Sequence, residues 1–426
     1  MKLFYIVYFL MINSFFAYSY IDPGTGSMLF AVLTGVISTL FFVGKTFFIK
    51  MKTLPFWVNK KEGNIISDRK KYVFYSEGKQ YWNTFKPVVD EFDKRGINCY
   101  YYTSDEEDPG LKYKSDSVET SFIGKGNKAY AKLNILEADI CLMTTPGLDV
   151  YQLERSKGVR HYSHILHASD EVTFYKLFSL DYFDSVLLTG EYQKKSIREL
   201  EQKRGTNRKE LFVTGCTYLD VLSSEVETRK SEKISDKPTV LLSPSWGDNG
   251  ILKKYGMDLI LPLVETGLNI IIRPHPQTII SEKNILENLR EKLEIYDNIE
   301  WDYKRENLDS MIKSDVMISD FSGIIFDYWF LLGKPVIYTE YKFDKRAYDL
   351  SDVEDEPWKF DKLNEIGIKL SSSDFNNVLD IIDGSLNNKL LSEKIKNAKD
   401  TAYQHQRNAG KKCADSLISI YNALDS

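Results

Sequence analysis

The chain has only four cysteines and five histidines in 426 residues, and it lacks any surplus of basic charge. Cys99, Cys141, Cys216 and Cys413 lie far apart and fall into no metal-ligand spacing. They read as free thiols of a reducing compartment. A net charge of -5 argues against nucleic-acid binding, which needs a basic footprint. No internal repeat recurs at a fixed period, and no long low-complexity tract interrupts the chain. What remains is an ordinary globular composition, 43% hydrophobic and 27% charged. Tyrosine and phenylalanine are abundant but spread along the chain, as core and surface packing requires. The length suits two domains and an appendage rather than one core.

The appendage is N-terminal. Leu3 to Phe16 is almost wholly apolar, and Met28 to Val43 is a second apolar run, separated from the first by the turn-rich Tyr20 to Ser27. The first run reads either as a signal peptide cleaved near Ala17 or Ser19, or as one arm of a membrane hairpin. On both readings the second run stays in the bilayer. Lys45, Lys50, Lys52, Lys60 and Lys61 follow it, and lysine-rich flanks mark the cytoplasmic side. The expectation is a cell-membrane protein whose catalytic body faces the cytoplasm.

Beyond residue 70, short apolar runs alternate with helical patterns. The first series is Tyr72–Ser76, Ile97–Tyr102, Asp139–Met143, Ser185–Gly190 and Leu211–Gly215. Phe85–Arg95 suits a helix between the first two. A polar, lysine-rich stretch from Ser223 to Lys237 reads as an interdomain linker. The series then restarts with Thr239–Ser243, Asn269–Ile272, Val316–Ser319 and Pro335–Tyr338, and Gln404–Asp425 reads as a closing helix. Such alternation predicts two α/β domains with mainly parallel sheets. The plan is a membrane anchor in 1–52, domains in 70–225 and 238–400, and a closing helix in 401–426.

Two motifs lie just past apolar strands of the second domain, where open α/β sheets bind ligands. Arg273-Pro274-His275-Pro276 offers a cation and an imidazole. Ser319-Asp320-Phe321-Ser322-Gly323 offers hydroxyls and backbone N–H groups before the helical pattern Ile324–Phe330. Together they suit a diphosphate. Ser243-Pro244-Ser245-Trp246-Gly247 ends another strand, and its glycine permits close backbone approach. In the first domain, His161, His164 and His167 are spaced by three. On a helix they would share a face, but His161 to Leu166 alternates as a strand, which sends the rings to different sides. No carboxylate or thiolate completes a zinc set, and no metal ligands are assigned. His167, at a strand end, suits a general base for an attacking hydroxyl.

These stretches, with Ile165-Leu166-His167-Ala168 and Val213 to Asp220, resemble the CDP-glycerol glycerophosphotransferases of teichoic-acid synthesis over about residues 160 to 340. Leu332-Gly333-Lys334-Pro335-Val336-Ile337-Tyr338 extends the likeness. The resemblance implies a GT-B-like fold, with two Rossmann-type domains facing across a cleft, the first for the acceptor and the second for the nucleotide donor. It implies attack by an acceptor hydroxyl on the β-phosphate of a CDP-polyol, with release of CMP and no cofactor. It places His167 and His275 at the two active-site histidines. It places Arg273, Ser319, Asp320 and Ser322 around the donor, and Ser243, Ser245, Trp246, Gly247, Gly323 and Asp327 lie in the same motifs. The chain departs from the family pattern at Ala168-Ser169-Asp170, which stands for Gly-Thr-Pro, at Thr217-Tyr218 for Pro-Arg, and at Gly323, where a second serine is usual.

The leading expectation is a membrane-associated transferase moving a polyol phosphate, glycerol phosphate first, to a hydroxyl of a lipid-linked or cell-envelope glycan. A glycosyltransferase using a nucleotide sugar, and an inactive scaffold of an envelope-polymer complex, are the competing readings.

Overall fold

Strands covered by helices on both faces are buried on both sides, so they read as continuous apolar runs. The computed structural model describes residues 69–229, 236–304, 306–341 and 343–426, with Val36, and places these runs in two parallel sheets. The first contains β1 (Lys70–Ser76), β2 (Cys99–Thr103), β3 (Val118–Phe122), β4 (Ala138–Met143), β5 (Val159–Ile165), β6 (Ser185–Leu188) and β7 (Glu210–Val213). Its order is β3-β2-β1-β4-β5-β6-β7. The second contains β8 (Thr239–Leu242), β9 (Asn269–Ile272), β10 (Ile299–Trp301), β11 (Val316–Ser319), β12 (Val336–Thr339) and β13 (Ile368–Leu370). Its order is β10-β9-β8-β11-β12-β13. β4 and β8 are buried at every residue.

In each sheet the strand order reverses once, between β1 and β4 and between β8 and β11. A crevice opens at the carboxyl ends of strands at such a point. The fold therefore presents Ser243 and Ser319 on one half, and the loops after β1, β4 and β5 on the other.

Several boundaries differ from the sequence expectation. The first helix runs Trp82–Lys94, three residues earlier than expected, because Trp82 and Thr84 are also buried against the sheet. The expected linker begins too early at Ser223, since the helix Thr217–Thr228 continues through it. The closing helix is Ala409–Leu424, and His405 and Arg407 before it take positive φ of 54° and 62° in a turn. Asp220 holds that turn, accepting from Tyr403 Oη at 2.6 Å and from the amides of Arg407 and Ala409.

The closing helix packs back on the first half, where Cys413, Ala414, Leu417 and Ile420 join Phe85, Val88, Val89 and Phe92 in one apolar core. Gly410 makes this approach possible, since a Cβ there would stand 2.4 Å from the Pro87 carbonyl oxygen. Gly410→Ala is expected to push the two helices apart and cost about 1–3 kcal/mol, read as a lowered Tm with the secondary structure retained.

All four cysteines are unpaired and buried. Asp68–Ser426 forms one compact unit. The apolar segments expected to hold the membrane fall outside the described residues. Among the described residues, no helix is long and apolar enough to cross a membrane.

Candidate active site between the two sheets

The loop after β5 carries His167, half-buried with its ring edge-on to Tyr81 at 5.1 Å. The Tyr175 hydroxyl lies 3.5 Å from His167 Nδ1 and 3.5 Å from His164 Nε2. His164 is wholly buried and packs against Phe183. Burial pushes His164 down to about 3. It also pushes His167 down to about 4, against the opposite pull of Asp170. Both rings are neutral at physiological pH. His161 points to the other face of β5 and pairs with Ser185 Oγ at 2.9 Å. The alternation expected from the sequence separates His161 from His164, whereas His164 and His167 both approach the Tyr175 hydroxyl. Among the described residues, no cluster of His, Cys, Asp and Glu is arranged to hold a metal ion.

In the second half, several residues of the two motifs serve as struts. Ser319 Oγ donates to the Ser243 carbonyl at 2.6 Å. Asp320 is fully buried and accepts from Ser245 Oγ at 2.6 Å and from the amides of Ser245, Phe321 and Ile251. Burial raises its proton affinity, and these bonds oppose the rise. Ser245, Ser319 and Asp320 thus bind the loops after β8 and β11 to each other. The Arg273 guanidinium is engaged by Asp302 and by the Lys304 carbonyl, which fixes the loop after β9 against β10.

His275 is held differently. It caps the helix Pro276–Ser281, with Nδ1 accepting from the Gln277 amide at 3.0 Å. A ring nitrogen that accepts cannot carry the proton, so Nε2 does. Burial lowers its pKa, against Asp320 and Glu282, so the neutral ring presents an Nε2–H donor. Gly323 caps the helix Ile324–Leu332. The Ser322 hydroxyl and the amides of Ser322 and Gly323 have no hydrogen-bond partner among the described residues. Trp246 is 52% exposed, next to Gly247 at φ +87°.

The two halves meet beside these groups. Asp170, three residues after His167, pairs with Lys359 of the second half at 2.7 Å. The ammonium lies 4.5 Å from the Phe174 ring centroid. A Cβ on Gly323 would stand 2.9 Å from Asp170 Oδ2. Asp327, in the first turn after Gly323, is pushed up to about 7 by burial and then by Asp170. Glu171 is likewise pushed up to about 7 by burial and Asp170, and both its oxygens are buried without a hydrogen-bond partner. The amides of Thr173, Trp358 and Val172 face it and limit the rise. Nearby, Arg204 ties Asp181 of the first half to Asp349 and Asp352 of the second, at 2.7–2.8 Å.

Sequence reasoning singled out both histidines and both strand-end motifs. It missed Tyr81, Tyr175, Lys359 and Arg204, which lie in no motif and come close only through folding. Asp170 was visible only as a departure from a pattern.

The raised Asp327 gives a stability prediction. Its folded pKa of about 7 exceeds the ordinary 3.8, so the native state holds the proton more tightly. That burial costs nothing below the ordinary value and most above about 7. Asp327→Asn is expected to raise Tm by about 2 °C or more at pH 8 and to leave it unchanged near pH 4. A gain of equal size at both values would contradict this.

Comparison with known proteins agrees with the geometry. Residues 180–357 match the family model described as CDP-Glycerol:Poly(glycerophosphate) glycerophosphotransferase. The wall teichoic acid polymerase TagF has a similar fold, with a TM-score of 0.56 at 18% identity over 92% of this chain and 99% of that one. A putative UDP-N-acetylglucosamine 2-epimerase from Listeria monocytogenes gives a TM-score of 0.56 at 14% identity, over 83% of this chain and 97% of that one. UDP-GlcNAc 2-epimerase from Methanocaldococcus jannaschii, in complex with UDP-GlcNAc and UDP, gives 0.55 at 13%, over 82% and 99%. No curated protein matches the chain. At these identities the solved structures establish a GT-B-like α/β fold. The family match spans residues 180–357, which carry His275 and Ser322–Gly323 but not His167, and over that stretch the chain is similar to the CDP-glycerol glycerophosphotransferases.

Proposed function

We propose that the protein transfers a polyol phosphate, glycerol phosphate first, from a CDP-activated donor to a hydroxyl of a lipid-linked or cell-envelope glycan acceptor, releasing CMP. The observation that carries this reading is the approach of Asp170 to Gly323. It brings the loop with His167 against the donor-half helix start, where amides and a hydroxyl are uncommitted.

In this reading the diphosphate lies between His275 Nε2–H and the Ser322 and Gly323 amides. Helix N-termini favour anions there. Trp246 offers an exposed ring to the base. The acceptor oxygen attacks the β-phosphorus, and the bond from that phosphorus to the bridging oxygen breaks. The electron pair leaves with CMP, and the acceptor proton passes to His167. Donors fixed where charge develops usually supply the largest catalytic contribution. Arg273, Ser319 and Asp320 hold the loops that carry these groups. The N-terminal apolar segments would keep the body on the cytoplasmic face of the cell membrane, where CDP-activated donors are made.

The pH dependence follows from His167. A base with its pKa lowered to about 4 keeps its lone pair well below the ordinary 6.5. The kcat/KM for the donor is expected to stay level as pH falls through 6.5 and to drop only toward 4. An acid limb centred at 6.5 would remove His167 as the base.

The reaction class is tested with purified protein in detergent and membrane lipid extract, offered CDP-glycerol, CDP-ribitol and UDP-sugars in parallel. CMP from one CDP-polyol supports the proposal. UDP from a sugar donor would instead assign a glycosyltransferase, and no product from any donor would leave the scaffold reading.

A further inference from the structure

The chemistry above gives no task to Asp170, although this side chain stands where the two halves touch. It lies on the His167 loop, close enough to pull the His167 pKa upward, and it reaches Gly323 at the start of the donor-half helix. Any group passing from a donor at Ser322–Gly323 to an acceptor at His167 travels past this carboxylate.

Its bonds are known. Oδ1 accepts from the Glu171 amide at 2.7 Å, and Oδ2 accepts from Lys359 Nζ at 2.7 Å. A carboxylate offers about four acceptor positions, so each oxygen keeps capacity for a further donor. The Asp170 side chain is 21% exposed, within reach of a ligand, whereas Lys359 is only 5% exposed and held by the pair. Glycine at 323 matters here, because any Cβ would stand 2.9 Å from Oδ2 and fill the space beside it. Asp170 and Gly323 are also two positions at which the chain departs from the family pattern, and in the fold they are neighbours.

Charge decides what this position can bind. Asp170 shares its surroundings with Glu171 and Asp327, both of which feel its charge, and the Lys359 ammonium pairs with Asp170. A phosphoryl oxygen would be repelled there. A hydroxyl, which donates, would be held. We propose that Asp170 is a specificity residue that accepts a hydrogen bond from a hydroxyl of the transferred polyol, with Gly323 leaving the room for it. This rests on the donor reading above and adds to it which end of the donor lies where: diphosphate at His275 and Ser322, hydroxyls at Asp170.

The test compares two probes, CDP-glycerol and CDP, by titration calorimetry on wild-type protein, Asp170→Ala, Asp170→Asn and Gly323→Ser. A hydrogen bond to a charged group predicts that Asp170→Ala weakens CDP-glycerol by about tenfold or more, with CDP unchanged within about twofold. Asp170→Asn, which keeps an acceptor oxygen, should recover part of the loss. Gly323→Ser keeps both charges of the Asp170–Lys359 pair and crowds the space beside Oδ2, so it too should weaken CDP-glycerol more than CDP. It keeps the test open should Asp170→Ala fail to fold. Equal weakening of both probes, or no weakening of either, would overturn the proposal. Wild-type protein that binds neither probe would overturn the donor reading itself, and the assignment of Asp170 with it.

Discussion

His167→Ala is expected to release CMP at least about a hundredfold more slowly than the wild-type protein, the scale of a lost general base. The neutral imidazole that this role needs is secured by burial, which places its pKa at about 4. Asp170 acts in the other direction and would steady the ring once it has taken the acceptor's proton. Tyr175 and Tyr81 fix the ring's orientation from two sides. The ring is half-buried and belongs to none of the main apolar cores, so the variant should keep its fold and its donor affinity. A variant that turns over at the wild-type rate would remove His167 from the mechanism.

His275 calls for a different substitution, because its ring also caps a helix. Asparagine is a strong N-cap residue, so His275→Asn should hold the helix while losing the Nε2–H donor. Turnover should fall by about a hundredfold, the scale of a lost oxyanion donor, at nearly unchanged Tm. A parallel loss of stability and rate would instead mean that the ring serves only the fold.

The largest expected effect on stability is that of Arg204→Met. The guanidinium is 7% exposed and bridges the halves, between Asp181 on one side and Asp349 and Asp352 on the other. Removing one member of a buried pair leaves an uncompensated charge and costs about 3–5 kcal/mol. Asp349 already shows the conflict. Burial pushes its carboxyl up to about 6 even though Arg204 pulls it down. Without Arg204 its pKa must rise further, so the variant binds an additional proton in the native state. Native stability then falls more steeply as pH rises from 4 toward 8. The loss in Tm should accordingly be larger at pH 8 than at pH 5. An equal loss at both values would show that lost packing, and not charge, dominates.

Much of this was legible in the sequence for a physical reason. Strands buried on both faces are written as continuous apolar runs, so β1, β4, β8, β9 and β11 could be read directly. β3, with the exposed Glu119 inside it, and the three-residue edge strands β10 and β13 carry too little apolar signal. The strand-end motifs were legible because glycine, serine and histidine cluster where the chain turns out of a buried strand. What the motifs could not show is the division of labour inside them. Ser319 and Ser322 are equally plausible phosphate ligands in sequence, yet one is a strut to Ser243 and the other is uncommitted. Lys359 bridges to a carboxylate 189 residues away and Arg204 to Asp349 and Asp352, 145 and 148 residues away, links between the halves that no local pattern encodes.

The central claim is that a CDP-activated polyol lies between the halves, with its diphosphate on His275 and the Ser322–Gly323 helix start. The most direct measurement is a crystal structure of the His167→Ala protein soaked with CDP-glycerol. The account predicts phosphate oxygens within hydrogen-bond distance of His275 Nε2 and of the Ser322 and Gly323 amides, with the β-phosphorus facing the vacated position of residue 167. A nucleotide bound elsewhere, or bound here with its diphosphate turned away from His275, would contradict it.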